Sequence, residues 1–216
     1  MRTLRPDFAT RGDRRALPPA VDARSRAALQ HRPSQAIPVV RETGQGREIA
    51  LVKWGLVPWW AEDAHIGAKL INARAETLAD KPAFRDAYRR RHCLVPADAF
   101  YEWKRVEGRK QPYCIRLRDQ GLFGMAGLWE RWKAPDGQLL ESCTIVTVAA
   151  NSLVAPLHDR MPLILAPEDY DAWLTAEAGT LPPAVPAEAM VAYPVRPLVS
   201  NAKNDVPACL VPIDTP

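Results

Sequence analysis

Cysteine is scarce in this 216-residue sequence, and its four copies, at 93, 114, 143 and 209, are isolated from one another. A zinc ribbon or a small disulfide scaffold needs clustered thiols, so neither fits, and reduced thiols in a cytoplasmic protein are expected. Histidine is equally sparse, at 31, 65, 92 and 158, with neither H-x-x-x-H nor H-E-x-x-H spacing. No metal and no cofactor are therefore expected. No apolar run approaches the roughly 20 residues that span a bilayer, and the N-terminus carries no apolar signal segment, so no membrane partner is expected. A G-x-x-x-x-G-K-[ST] loop and a G-x-S-x-G elbow are both missing, which argues against nucleotide hydrolysis and α/β-hydrolase chemistry. There is no internal repeat and no strand–helix–strand alternation, which disfavours a doubly wound parallel sheet.

What is present is ordinary in sum and uneven in distribution. An apolar fraction of 47% and a charged fraction of 25% suit a globular chain long enough to bury a real core. The formal charge is +4. Residues 1–32 hold eight Arg and three Asp, a balance of +5. Residues 81–118 carry eleven basic and four acidic side chains, and 119–216 carry five and twelve. A local block of cations, rather than a high average, is what phosphate binding requires, so 81–118 is the informative stretch.

Residues 1–32 are rich in Arg, Ala and Pro and follow neither a 3.6 nor a 2.0 apolar period. They read as an atypical N-terminus, poorly ordered or mis-started, ahead of a domain at 33–216. From Ile37 the pattern changes. Ile37–Val40 and Glu48–Trp54 flank Gly44-Gln45-Gly46 as a hairpin. Pro82–Arg90 reads as a short helix with Phe84 and Tyr88 on one face. Short strands follow at His92–Val95, Phe100–Lys104, Tyr113–Arg118, Leu122–Trp132 and Cys143–Val148. Met161–Leu165 and Met190–Val195 are later strands, and Pro167–Leu174 a second helix. The expected fold is α+β: a curved, mainly antiparallel sheet or partial β-barrel with a few peripheral helices.

Four segments hold residues that packing alone does not explain. In Trp54-Gly55-Leu56-Val57-Pro58-Trp59-Trp60, adjacent Trp59 and Trp60 cannot both face one side of a strand. Trp54 reads as a core anchor, while Trp59 and Trp60 read either as a loop lid or as platforms for unpaired bases. In Ile71-Asn72-Ala73-Arg74-Ala75-Glu76-Thr77, extension puts Asn72 and Arg74 on one face, an arrangement for an oxygen-rich ligand or for an ordinary turn. In Val95–Lys104, Glu102 stands among Phe100, Tyr101 and Trp103. It is either a carboxyl with a raised pKa, suited to proton transfer, or an edge-strand carboxylate with a cationic partner. In Leu157-His158-Asp159-Arg160-Met161-Pro162, His158 ends a loop before an apolar strand and is a candidate acid or base, or a structural imidazole. The cysteines lie in apolar strands and read as packing.

Taken in order, WGLVPWW, NARAET, CLVPADAFYEW, GLWERW and HDRMP resemble the SOS response-associated peptidase family, whose members are abasic-site processing proteins. The similarity covers roughly residues 33–212. The resemblance implies a DNA-damage response protein, most simply a monomer in the cytoplasm at the nucleoid, whose partner is single-stranded DNA with an abasic site. In that family an N-terminal Cys condenses through its amine with the opened sugar aldehyde, and its thiol closes a thiazolidine. An α-amine with a pKa of about 7.7–8.0 is partly neutral at cellular pH, and the adjacent thiol traps the imine intramolecularly. Carried over to this sequence, Asn72 positions the sugar, Glu102 relays protons and His158 protonates the sugar oxygen. Arg74, Arg85 and Arg160 hold phosphates, and Trp59, Trp60 and Trp103 stack on flanking bases.

The sequence departs from the family at its start, which reads Met1-Arg2-Thr3-Leu4 instead of Met-Cys-Gly-Arg. In one account the chain has lost thiazolidine chemistry, leaving Met1's amine to form a Schiff base or the site only to bind DNA. In the other, a wrong start or a frameshift has replaced the first strand, which explains the composition of 1–32 and is preferred. Either way no stable crosslink is expected. A catalytically silent single-strand-binding module is the alternative function. A general peptidase is disfavoured because no Ser or Cys nucleophile accompanies these groups.

Overall fold

A computed structural model describes residues 33–175, 181–201, 203–204 and 206–213, together with Leu17. Apart from Leu17, the atypical stretch 1–32 lies outside the described residues. The first hairpin is β1 (Ala36–Thr43) and β2 (Gly46–Trp54), paired from Ala36↔Lys53 to Thr43↔Gly46. β3 (Asn72–Arg74), β4 (His92–Ala97), β7 (Phe123–Lys133) and β8 (Leu139–Ala149) join them in one sheet, with β9 (Arg160–Pro162) and β10 (Ile164–Leu165) at its margins. Neighbours run β7-β4-β1-β2-β8, and β8 pairs again with β7 through Gly127↔Ile145 to Lys133↔Leu139, which closes a five-stranded ring. The β2–β8 contact is parallel, so the barrel is mixed. The expected α+β fold with a curved sheet is borne out, with the barrel closed rather than partial.

A second sheet of three antiparallel strands contains β5 (Phe100–Val106), β6 (Arg109–Leu117) and β11 (Met190–Pro194). The helices are short: α1 (Arg85–Arg90) and α2 (Tyr170–Thr175). α1 begins three residues after Pro82, because Lys81–Phe84 closes a separate turn through the Phe84 N–H to the Lys81 carbonyl, 2.9 Å. Phe84 and Tyr88 are both buried, as their spacing implied.

β1, β4 and the first half of β7 are buried along most of their length, which is why they read as nearly continuous apolar runs, whereas β2 leaves Leu51 exposed. Leu94, Leu128 and Val146 pack with Phe84, Tyr88 and Trp173 beneath the helices, and Leu17 packs against this group. Cys93, Val95, Met125, Cys143 and Ile145 pack on the other side with Ile115 of β6 and Met190 of β11. The chain crosses from one sheet to the other at Asp98-Ala99, between β4 and β5. That crossing opens a cleft between the sheets.

Candidate functional site

The cleft has a volume of about 680 Å³ and takes residues from nearly every part of the chain. Asn72, Glu102, Trp103, His158 and Arg160 all line it. Its floor is apolar, with Ile37, Val95, Met125, Ile145 and Met161.

Each polar group arrives by a different route. β3 lies parallel to β8 in the register Asn72↔Ile145, which buries Ala73 and turns Asn72 and Arg74 outward on one face. The Trp54 indole donates to the Ile71 carbonyl at 2.9 Å and fixes this strand's start. Trp54 is thus an anchor, as its sequence context suggested, but it also lines the cleft. Glu102 and Trp103 come from β5, just past the crossing between sheets, and the Trp103 indole donates to Ser200 Oγ at 3.0 Å. His158 ends a turn initiated by Asn151, whose Oδ1 accepts the Leu153 and Val154 N–H groups at 3.1 Å.

The electrostatics set two of these groups apart. Glu102 is half-buried, and that burial pushes its carboxyl above the ordinary range, opposed by nearby His158 and reinforced by Asp159. The Nδ1 of His158 stands 3.0 Å from the Arg160 amide, 3.1 Å from the Arg160 carbonyl and 3.2 Å from Asp159 Oδ1. The amide can only donate and the two oxygens can only accept. The ring is therefore held in one orientation whether or not Nδ1 carries a proton. Arg160 forms a bidentate pair with Glu76, Nη1–Oε1 2.7 Å and Nη2–Oε2 2.9 Å, and donates to the Thr147 carbonyl at 2.5 Å. Its Nε is buried with no hydrogen-bond partner among the described residues. Paired with Arg160, Glu76 is held below the usual carboxylate range.

The remaining expected residues lie elsewhere. Arg74 is exposed but not in the cleft lining, and Arg85 stands exposed on α1. Trp59 and Trp60 are both exposed, at 58% and 44%, on the loop after β2. Trp59 donates to Asp86 Oδ2 at 2.9 Å and lines a separate depression of about 530 Å³ with Trp129, Arg90, Arg91 and Arg131. Glu76, Asp159, Thr147 and Ser200 also stand at or beside the site, with no role expected of them from the sequence. The first two sit inside the NARAET and HDRMP segments and were legible there; Ser200 carries no local signal. Burial drives the thiols of Cys93, Cys114 and Cys143 upward, and all four cysteines are buried and free. None is poised as a nucleophile. Among the described residues no group of three His, Cys, Asp or Glu could hold a metal ion, and no helix is long and apolar enough to cross a membrane.

A closed mixed barrel, with a smaller sheet beside it and acid–base and aromatic side chains converging between the two, defines an α+β barrel protein with an intersheet site. The chain belongs to the SOS response associated peptidase (SRAP) family, whose model matches residues 7–202. That match opens inside the stretch whose composition is atypical. The chain is 43% identical over 182 residues to the abasic site processing protein YoqW of Bacillus subtilis (strain 168), covering 81% of each. It is 36% identical over 193 residues to the abasic site processing protein HMCES of Gallus gallus, covering 76% of this chain and 57% of that relative. A crystal structure of a protein from Bacteroides thetaiotaomicron superposes with a TM-score of 0.75 at 30% identity, covering 83% of this chain and 82% of the other.

Proposed function

We propose that this protein binds abasic sites in single-stranded DNA, as part of a DNA-damage response, and opens the abasic sugar in the intersheet cleft. The observation that carries the reading is the meeting of Asn72, Glu102, His158 and Arg160 in one cleft with Trp103 at its edge. The curated relatives named above are abasic site processing proteins.

The chemistry follows from the groups. A closed abasic sugar is a cyclic hemiacetal. To open it, the C1′ hydroxyl must lose a proton while the C1′–O4′ bond breaks and O4′ gains one. Glu102, raised toward neutrality, is a suitable base for the hydroxyl proton. His158 in its imidazolium form gives its Nε2 proton to O4′ and keeps the Nδ1 proton on the Arg160 carbonyl and Asp159. The carboxylate becomes a carboxylic acid, the imidazolium becomes neutral, and the aldehyde is freed at C1′. Asn72 orients the sugar through its amide, and the partly exposed Arg160 guanidinium on the cleft wall, paired with Glu76, attracts a phosphate. Trp103, with Trp59 and Trp60 further out, stacks on bases, and Arg74 and Arg85 contact backbone phosphates.

A thiazolidine crosslink needs a thiol beside a free amine, and the four buried cysteines supply none. A denaturing gel of this chain with abasic single-stranded DNA should therefore show no persistent band of thiazolidine crosslink.

Fluorescence anisotropy with single-stranded oligonucleotides, one carrying a central abasic site and one intact, tests the reading. The expected preference for the abasic strand is tenfold or more, and it should disappear in Asn72→Ala. The rate at which the bound sugar opens, followed by aldehyde capture with an alkoxyamine, should fall about 10²–10⁴-fold in Glu102→Gln and His158→Ala. Equal affinity for both strands and unchanged variants would leave only a general single-strand binder.

A further inference from the structure

β5 and β6 continue past the cleft as a two-stranded arm that neither sheet covers. From Trp103 to Lys110 its residues are exposed apart from Lys104, which is half-buried. The arm carries Lys104, Arg105, Arg109 and Lys110 against a single acid, Glu107. Among the described residues none of these four cations forms an ion pair.

The register makes the arrangement costly in isolation. Trp103 stands opposite Pro112, and two positions further out Arg105 stands directly opposite Lys110. Cross-strand partners share a face, and like charges placed directly opposite each other are destabilising. A pairing that works against the hairpin is relieved when an anion lies between the two side chains. Trp103 and the Arg105–Lys110 pair occupy the same face, about 6.8 Å apart along the strand at roughly 3.4 Å per residue. An aromatic ring at the cleft edge, followed outward by a cationic pair, matches the alternation of base and phosphate along an unpaired strand.

We infer that the β5–β6 arm is a docking surface for the single-stranded DNA flank on one side of the lesion, with a base on Trp103 and the following phosphates on Arg105 and Lys110. The inference rests on the cleft being the abasic-site pocket. It adds a one-sided footprint, with polarity, to that reading.

The test uses the full chain and the double variant Arg105→Gln/Lys110→Gln. Both are titrated with labelled single-stranded oligonucleotides bearing a central abasic site, across a series of NaCl concentrations. Each phosphate contact on a single strand contributes about −0.7 to the slope of log K against log[salt], so the variant's slope should be shallower by about 1.4. Its affinity near 0.1 M salt should be lower by about tenfold or more. Two further oligonucleotides are cut back to the abasic nucleotide, one from each end. Removing the arm-side flank should lower wild-type affinity to that of the variant and abolish the difference between them; removing the other flank should preserve it. A control double variant of exposed cations on other elements, Lys69→Gln/Lys133→Gln, should keep the wild-type slope. Equal slopes for wild type and variant would overturn the inference. So would a variant effect that survives both truncations, which would mark diffuse charge, or one seen only when the flank is double-stranded. The double variant should keep the full preference for abasic over intact DNA. Loss of that preference in the wild type would instead sink the reading of the cleft, and the slope comparison could still be made with intact strands.

Discussion

Glu102 is the one carboxyl at the site whose proton affinity runs against the protein's stability. Its unfolded value is that of an ordinary Glu, and burial raises it in the folded state. Between those two values the native chain holds more protons than the unfolded one, so stability falls as pH rises through that window. Below the ordinary value the penalty is absent; above the raised value it is complete. Glu102→Gln removes the charge without removing the volume. The variant should therefore melt higher than wild type at pH 7, with the gap closing as pH falls toward 4, while sugar opening is impaired. Thermal unfolding at pH 4, 5, 6 and 7 reads both limbs. A variant less stable at pH 7 than at pH 4, relative to wild type, would show that the carboxylate makes a favourable contact instead. Functional carboxyls that oppose folding in this way are a recognised origin of the trade between stability and activity. At this scale the sequence was informative wherever a residue contradicted its surroundings: a Glu among aromatics, a His before an apolar strand. It was silent on Ser200, which reaches Trp103 from 97 residues away in the chain.

At the scale of elements, the loop after β2 shows how a glycine can be needed for approach as well as for φ. Gly55 sits at φ +126°, and a Cβ there would lie 2.6 Å from the Gly67 carbonyl oxygen. A Cβ on Gly67 would in turn lie 2.5 Å from the Gly55 oxygen and 3.2 Å from Val57 Cγ2. Two backbones touch here, and neither obstacle is a flexible side chain. Gly67→Ala should cost about 1–3 kcal/mol, the usual range for overpacking, read as a lower urea midpoint at unchanged m-value. Because the displaced loop carries Trp59 and Trp60, DNA affinity should drop with it. Most strands were readable from their β-branched and apolar runs, and the CLVPADAFYEW segment marked the crossing between sheets. Two things were not readable. Closure of the ring depends on β7 pairing with both β4 and β8, a non-local fact that periodicity does not encode. The parallel β2–β8 and β3–β8 contacts likewise join segments far apart in sequence, with no turn signal to announce them.

Across the whole molecule, the ring is fastened by charge at residues outside the cleft lining. Arg41 of β1 donates to Glu48 of β2 at 2.7 Å and to Glu141 of β8 at 3.1 Å, and Glu141 also accepts from Arg131 of β7 at 2.9 Å. Four of the five ring strands are thereby linked through the guanidiniums of Arg41 and Arg131, and that of Arg41 also lies 4.0 Å over the Trp129 ring of β7. Arg41 is buried, so its removal leaves acidic neighbours without their main partner inside the fold. Breaking a buried pair costs about 3–5 kcal/mol; Arg41→Met should fall near the lower end, about 3 kcal/mol, because Glu141 keeps Arg131 and is partly exposed. The pH dependence gives the sign. Glu141 is buried enough to be penalised, yet Arg41 and Arg131 hold its carboxyl below the ordinary range. Its contribution is complete above the unfolded value and disappears as pH falls through the lower folded one. Wild type should therefore lose stability on acidification below about pH 4.5, the region of an ordinary Glu, and Arg41→Met should show a flatter acid limb. Urea unfolding between pH 3 and pH 7 measures this directly. None of these residues lines the cleft, so the same variant, assayed where it is still folded, should retain its preference for abasic DNA. If preference and stability fell together, the closed ring would be an active part of the site's geometry and not simply the frame on which the second sheet is hung.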